Sequence, residues 1–269
     1  MMIRLLGCSL LAIASSAHAG TILEMTNRDL ANKTESLVKT FVQDGRLRVE
    51  TGGAQETFVI FRDDTIYTFD PKQKTYIALD RATMQKLANQ LNPALKMLQE
   101  QMANMTPEQR AQIERMTGAK LPGSTKEPVQ EIRMTPRTDK VAGYACTYAE
   151  VLEDGVVQHE ACVVPPADLK GSKELYDVAS KVGTLIKDMM ASVDAPWMRQ
   201  MMDKQLENFT ALGGLPVLTR TFDEGKPLHE GTMKSIRNAS IPAAQFEIPA
   251  GYKPRELPNL GAAGAPATP

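Results

Sequence analysis

"GYACTYAEVLEDGVVQHEACVV", residues 143–164, sets two runs of small, β-branched and aromatic residues on either side of Glu153-Asp154-Gly155. A run, an acidic-Gly turn and a second run is the signature of a β-hairpin. With a three-residue loop, Leu152 faces Val156. Counting back in register then sets Cys146 opposite Cys162, close enough in Cβ position for a disulfide. The bridge would close a loop of about 15 residues, worth about 3 kcal/mol in the chain-entropy model. His159 sits at odd parity from both cysteines, so it points to the other face of the sheet and cannot share an ion with them.

The pattern extends upstream. Short strands are expected at Ile22–Asn27, Ser36–Gln43, Arg46–Thr51, Thr57–Arg62, Thr65–Asp70 and Lys74–Leu79, separated by Asp44-Gly45, Asp63-Asp64 and Asp70-Pro71-Lys72. That spacing reads as an antiparallel meander. Arg46-Leu47-Arg48-Val49-Glu50 alternates and predicts one wet face. Phe58-Val59-Ile60-Phe61 is apolar on both faces and predicts a mid-sheet strand. Further strands are expected at Val129–Thr135, Val141–Leu152, Val156–Val164, Pro216–Asp223, Pro227–Asn238 and Ala244–Ile248.

Two helical blocks interrupt the strands, at about residues 81–117 and 172–212. In the first, Met84, Leu87, Ala88 and Leu91 share a face. Asn92-Pro93 reads as a new cap, and Leu95, Leu98 and Met102 continue the stripe. Thr106-Pro107-Glu108-Gln109 has the form of a capping box, and Gly118 marks a stop. In the second, apolar residues from Leu175 to Met190 recur at 3.6-residue spacing. Asp194 and Pro196 open another helix, and Gly213-Gly214 ends it. Strands, helices, strands, helices, strands is the order of an α+β fold: one curved antiparallel sheet, a half-barrel, with two helical insertions covering one face.

The chain starts with a short basic segment, an apolar stretch from Leu5 to Ala14, and Ala17-His18-Ala19, the form of a cleavable secretory signal over residues 1–19. This predicts a periplasmic protein, in keeping with a disulfide. Residues 20–256 form the expected single domain, and the Gly/Ala/Pro-rich stretch 257–269 reads as a disordered tail. No later segment approaches the roughly 18 apolar residues of a membrane span. The formal charge of −1 becomes −2 on loss of Arg4, leaving no basic footprint for nucleic acid.

No catalytic constellation stands out: a Gly-x-Ser-x-Gly elbow, a P-loop, Gly-x-Gly-x-x-Gly and His-Glu-x-x-His are all missing. The expectation is a non-enzymatic protein without a cofactor or metal centre. The chain's peculiarity is methionine, which supplies five of the fourteen residues from Met189 to Met202. Thioethers can fill a core, bind Cu(I), or line a surface that adapts to apolar ligands of varied shape. The third reading makes Met97, Met102, Met105, Met189, Met190, Trp197, Met201, Met202 and Phe209 the contacts of an apolar ligand held between helices and sheet.

"DPKQKTYIALD" (Asp70–Asp80), "VAGYACTYAEV" (Val141–Val151) and "FEIPAGYKP" (Phe246–Pro254) resemble an uncharacterised exported bacterial family grouped near the periplasmic lipoprotein carrier and receptor fold of LolA and LolB. The resemblance implies a half-barrel under a helical lid, with an acyl-binding cavity between. A lipid or lipoprotein acyl chain is then the expected ligand. "MTPEQRAQIERM" (Met105–Met116) faintly resembles the helical signature of small periplasmic stress chaperones. An envelope protein-interaction module, sensor or chaperone-like, is therefore the alternative, and a methionine-based copper-binding protein the next.

Overall fold

Two-residue turns draw the sheet. Asp44-Gly45, Asp63-Asp64, Asp154-Gly155 and Glu224-Gly225 all take positive φ at both central positions, as does Ala142-Gly143. That is the turn geometry whose twist matches the strands it joins. In this computed structural model, residues 19–53, 56–110, 112 and 129–257 are described; of residues 197, 198, 200, 201, 205, 206, 208 and 209 only the backbone is. Residues 1–18 of the expected signal 1–19, the helix stop at Gly118 and residues 258–269 of the expected tail 257–269 lie outside the described residues.

The strands are β1 (Gly20–Asp29), β2 (Thr34–Gln43), β3 (Arg46–Thr51), β4 (Thr57–Arg62), β5 (Thr65–Asp70), β6 (Thr75–Leu79), β7 (Gln130–Val141), β8 (Tyr144–Glu153), β9 (Val156–Val164), β10 (Leu215–Asp223), β11 (Lys226–Ala239) and β12 (Lys253–Pro254). Helix α1 (Arg81–Ala103) follows β6, and α2 (Ser172–Met190) and α3 (Pro196–Ala211) follow β9. All twelve strands form one curved, unclosed sheet in the order β12-β6-β5-β4-β3-β2-β1-β11-β10-β9-β8-β7. Every pairing is antiparallel except β12 on β6. The first strand pairs with the eleventh at mid-sheet, so the two meanders share one hydrogen-bonded ladder.

Helix α2 covers part of one face. Its Leu175, Val178, Leu185 and Met189 are buried against Leu23, Val42 and Phe61 of the sheet. The other face carries three smaller clusters: Ile22 with Ile241 and Phe246; Phe58, Ile60 and Phe69 under Ile248 and Tyr252; and Ala149, Ala161 and Val163. Phe58 stacks on Phe69 with ring centroids 4.3 Å apart. β4 is thus buried on both sides, as its apolar run required. The segment expected to be a strand at Ala244–Ile248 is instead a 3-10 turn, Ala243–Phe246, that serves as a lid on this face. It also changes the expected wet face of β3. The Arg46 guanidinium lies over the Phe246 ring at 5.2 Å and that of Arg48 over Phe58 at 4.2 Å, so the arginine stems are half-covered by aromatic surface.

Cys146 and Cys162 are bonded, with Cα atoms 5.3 Å apart, but the register differs from the one expected. The turn has two residues, so Glu153 faces Val156, and a bulge leaves Gln158 unpaired between Val157 and His159. Tyr148 therefore faces Cys162, and Cys146 reaches it diagonally. Even parity is preserved, which is why the bridge still forms. The upstream strand also divides: β7 runs to Val141, turns at Ala142-Gly143, and β8 begins at Tyr144.

Candidate functional site

Helix α1 is joined to the rest at a few points. Asp80 caps it, its Oδ1 accepting from the Thr83 N–H at 2.7 Å. The helix does not restart at Asn92-Pro93; it runs unbroken for 23 residues with Pro93 inside. Asn92 is spent on a tertiary clamp instead. Its Nδ2 donates to the Ser192 carbonyl (3.1 Å) and its Oδ1 accepts from the Asp194 N–H (2.8 Å). Gln99 Nε2 adds a bond to the Asp194 carbonyl at 2.8 Å. Ala88 packs beside the same turn, with Val193 and Ala195. These ties hold α1 to the α2–α3 turn, and α3 starts at Pro196 with Asp194 one residue ahead of the cap position.

Seven large apolar residues lie along α1: Met84, Leu87, Leu91, Leu95, Met97, Leu98 and Met102. Its one buried residue is Ala88. Met97 is 60% exposed and Leu98, expected on the inward stripe, is 49% exposed. Beyond the helix, Thr106 and Gln109 bond reciprocally, N–H to Oε1 at 2.8 Å and N–H to Oγ1 at 3.3 Å, the capping box in full.

The nine residues expected to touch an apolar ligand scatter over several environments. Met189 is core, 5% exposed, and Met190 packs in the cluster between α1 and the α2–α3 turn. Met102, Met105 and Met202 are half-buried, and Met97 stands out from α1. The side chains of Trp197, Met201 and Phe209 lie outside the described residues.

A hollow of about 520 Å³ opens between α1 and the sheet edge. Leu87 forms its helix wall, Ile77 and Ala78 of β6 its floor, and Pro254 and Leu257 its far side. None of its lining residues is among those nine. Two cations, Lys86 and Arg255, stand with Glu256 in the lining. The parallel pairing of β12 builds this wall: Lys253 N–H donates to the Lys74 carbonyl (3.0 Å) and Arg255 N–H to that of Tyr76 (2.8 Å). Ala78 is the next residue on that edge. Leu87 and Ile77 were readable as parts of a helical stripe and a strand. The wall from Pro254 to Leu257 was not, because a two-residue parallel pairing across the length of the chain leaves no periodic signal.

Among the described residues no three His, Cys, Asp or Glu side chains are grouped to hold a metal ion, and no helix is long and apolar enough to cross a membrane. His159 is exposed on the face opposite Cys162, as its parity required.

No family model matches the chain, and no curated protein matches it. Among solved structures, it is similar to an uncharacterized conserved protein from Thermus thermophilus, with a TM-score of 0.45 and 9% identity over 88% of this chain and 90% of that one. It is also similar to MucB in the Pseudomonas aeruginosa MucA/MucB complex (TM-score 0.39, 11% identity, 86% of this chain and 56% of that one) and to MucB alone (0.38, 11%, 87% and 58%). The chain thus spans little more than half the length of MucB.

Proposed function

We propose that this chain is a non-enzymatic binding protein of the bacterial periplasm that holds an apolar ligand, a lipid or lipoprotein acyl chain, between helix α1 and the sheet. The observation that carries the reading is the hollow of about 520 Å³ beside a helix with seven large apolar side chains, none of them fully buried and two, Met97 and Leu98, exposed. Leu87, Ile77 and Leu257 give an alkyl chain apolar contact, and Lys86 and Arg255 give an acidic head group its counter-charge. The resemblance of three phrases to an uncharacterised exported family grouped near the lipoprotein-carrier fold agrees with this ligand. Native mass spectrometry of protein recovered from its own envelope, with titration of a fluorescent fatty acid, tests it. Co-purified lipid and saturable uptake, lost in Leu87→Asp, are the expected results. Lipid-free protein with no uptake rejects the proposal.

The second reading is an envelope protein-interaction module, favoured by the exposure of Met97 and Leu98 on the same helix. Photo-crosslinking from position 97 in cells separates the two. A discrete protein adduct that persists in Leu87→Asp supports a partner surface independent of the lipid site.

A further inference from the structure

The face that α2 covers near Leu23 continues along β1 as Met25, Asn27 and Asp29, since alternate residues share a side. Past Met25 the chemistry changes. A trough of about 540 Å³ lies there, and none of the fourteen residues lining it is Ala, Val, Leu, Ile, Met, Phe, Tyr or Trp. It shares no residue with the hollow beside α1.

Its floor is notched by a glycine. Gly231 faces Asn27 on one side and Thr219 on the other. A Cβ at position 231 would come within 2.6 Å of Thr219 Oγ1 and 3.2 Å of Asn27 Oδ1. Both polar atoms therefore lean over the bare backbone of β11, toward one point. Neither side chain has a hydrogen-bond partner among the described residues. One step along the row, Thr221 faces His229, and the buried Thr221 Oγ1 is also without a partner. Two neutral groups, Asn27 and Thr219, thus converge unengaged over Gly231, with the buried, unpartnered Thr221 hydroxyl one step along the row.

The charged groups there are already committed. Asp29 accepts from the N–H and the side-chain amide of Asn32, both at 2.8 Å. Arg28 pairs with Glu35 at 2.8 Å and lies 3.8 Å from Glu230. What remains to recognise a ligand is hydroxyl, carboxamide and the exposed His229 imidazole, able to donate and accept, with threonine methyls between. An alkyl chain covers the threonine methyls but leaves the polar atoms unsatisfied, and an ionic ligand finds the Asp29, Arg28 and Glu35 charges already paired. An uncharged molecule rich in hydroxyls satisfies both the polar atoms and the methyl patches. The volume falls within the roughly 300–1,000 Å³ of small-molecule pockets.

We propose that the trough around Asn27, Thr219 and Gly231 is a second ligand site, for a neutral polyhydroxylated molecule of one or two saccharide rings. It is separate from the apolar site in residues and in chemistry. The test is a titration of isotope-labelled protein with glucose, maltose and diacetylchitobiose, followed by amide shifts. Saturable shifts centred on Asn27, Thr219 and Gly231 with at least one sugar are expected. Gly231→Ala, which fills the notch at the expense of two flexible side-chain ends, and Thr219→Val, which exchanges a hydroxyl for a methyl, should each weaken binding at least about tenfold. Leu87→Asp should leave it unchanged. The proposal is overturned by no saturable shift with any of the three sugars, by shifts that map to the α1 hollow, or by unaltered affinity in folded variants. If Gly231→Ala does not fold, Thr219→Val alone decides.

Discussion

Seven charged residues stand opposite one another across seven strands: Glu35, Arg28, Glu230, Arg220, Glu160, Glu150 and Arg133, each in register with the next. Most neighbours have opposite sign. Arg220 lies 2.9 Å from Glu230 and 3.1 Å from Glu160, and Arg133 2.6 Å from Glu150. The exception is Glu150 facing Glu160, a like-charge pairing that is unfavourable unless neutralised. Arg137 supplies the extra cation. It pairs with Glu160 and lies over the Tyr148 ring at 4.0 Å. Burial and the bond to the Asp139 carboxylate push the Tyr148 phenol up. The ends of this row are wet, whereas Glu160 is only 5% exposed. Position should therefore decide worth. Glu160→Ala takes from Arg137 its carboxylate and from Arg220 one of two, and should cost about 2 kcal/mol. Glu35→Ala, in an exposed pair, should cost under about 1 kcal/mol. Urea unfolding of the two variants measures the contrast, and equal losses would refute the burial argument.

At the scale of elements, α1 hangs on few ties, and its cap is one. Asp80 has its pKa lowered from the ordinary carboxylate value, chiefly by the Thr83 backbone N–H. A carboxylate depressed in the folded state contributes fully above the unfolded value, about pH 4, and the contribution is lost as pH falls through the lower folded one. Asp80→Ala should cost about 1 kcal/mol at pH 7. Asp80→Asn, which retains an acceptor, should lose less and should flatten the acid limb of the stability curve; an acid limb as steep as that of the original protein would count against the cap. The Thr106–Gln109 box, with two reciprocal side chains, has a stronger signature in the sequence than the single carboxylate of Asp80. Local chemistry of that kind is legible because both partners lie within one turn. Asn92-Pro93 shows the opposite case. The dipeptide has the form of a helix start, but the amide bonds the α2–α3 turn a hundred residues away, and that tertiary contact outweighs the local preference. The cysteine hairpin falls between. The expected pairing of Cys146 with Cys162 holds because two departures from the expected register, the two-residue turn and the bulge at Gln158, cancel in parity; the bulge was hidden, since bulges answer to the twist of the whole sheet.

The whole molecule places two unlike surfaces on one sheet. The antiparallel meander, the helical insertions and the apolar cover of β4 follow from residue patterns, so the α+β half-barrel was readable. The division of labour was not, because the hollow beside α1 and the trough at Gly231 are each assembled from strands distant in sequence. If α1 closes an acyl site against the β6 edge, occupancy must stabilise the fold, since the unfolded chain has no such site. Dodecanoate at about a hundred times its dissociation constant should add about 2.7 kcal/mol. For a domain of this size that corresponds to a rise in Tm of roughly 5–10 °C. Leu87→Asp should erase the rise while changing the unliganded Tm far less, because Leu87 is only half-buried. Calorimetry with and without the fatty acid reads both quantities. A rise that survives in Leu87→Asp would move the ligand away from α1, and a flat response in both proteins would leave the helix as a docking face for protein.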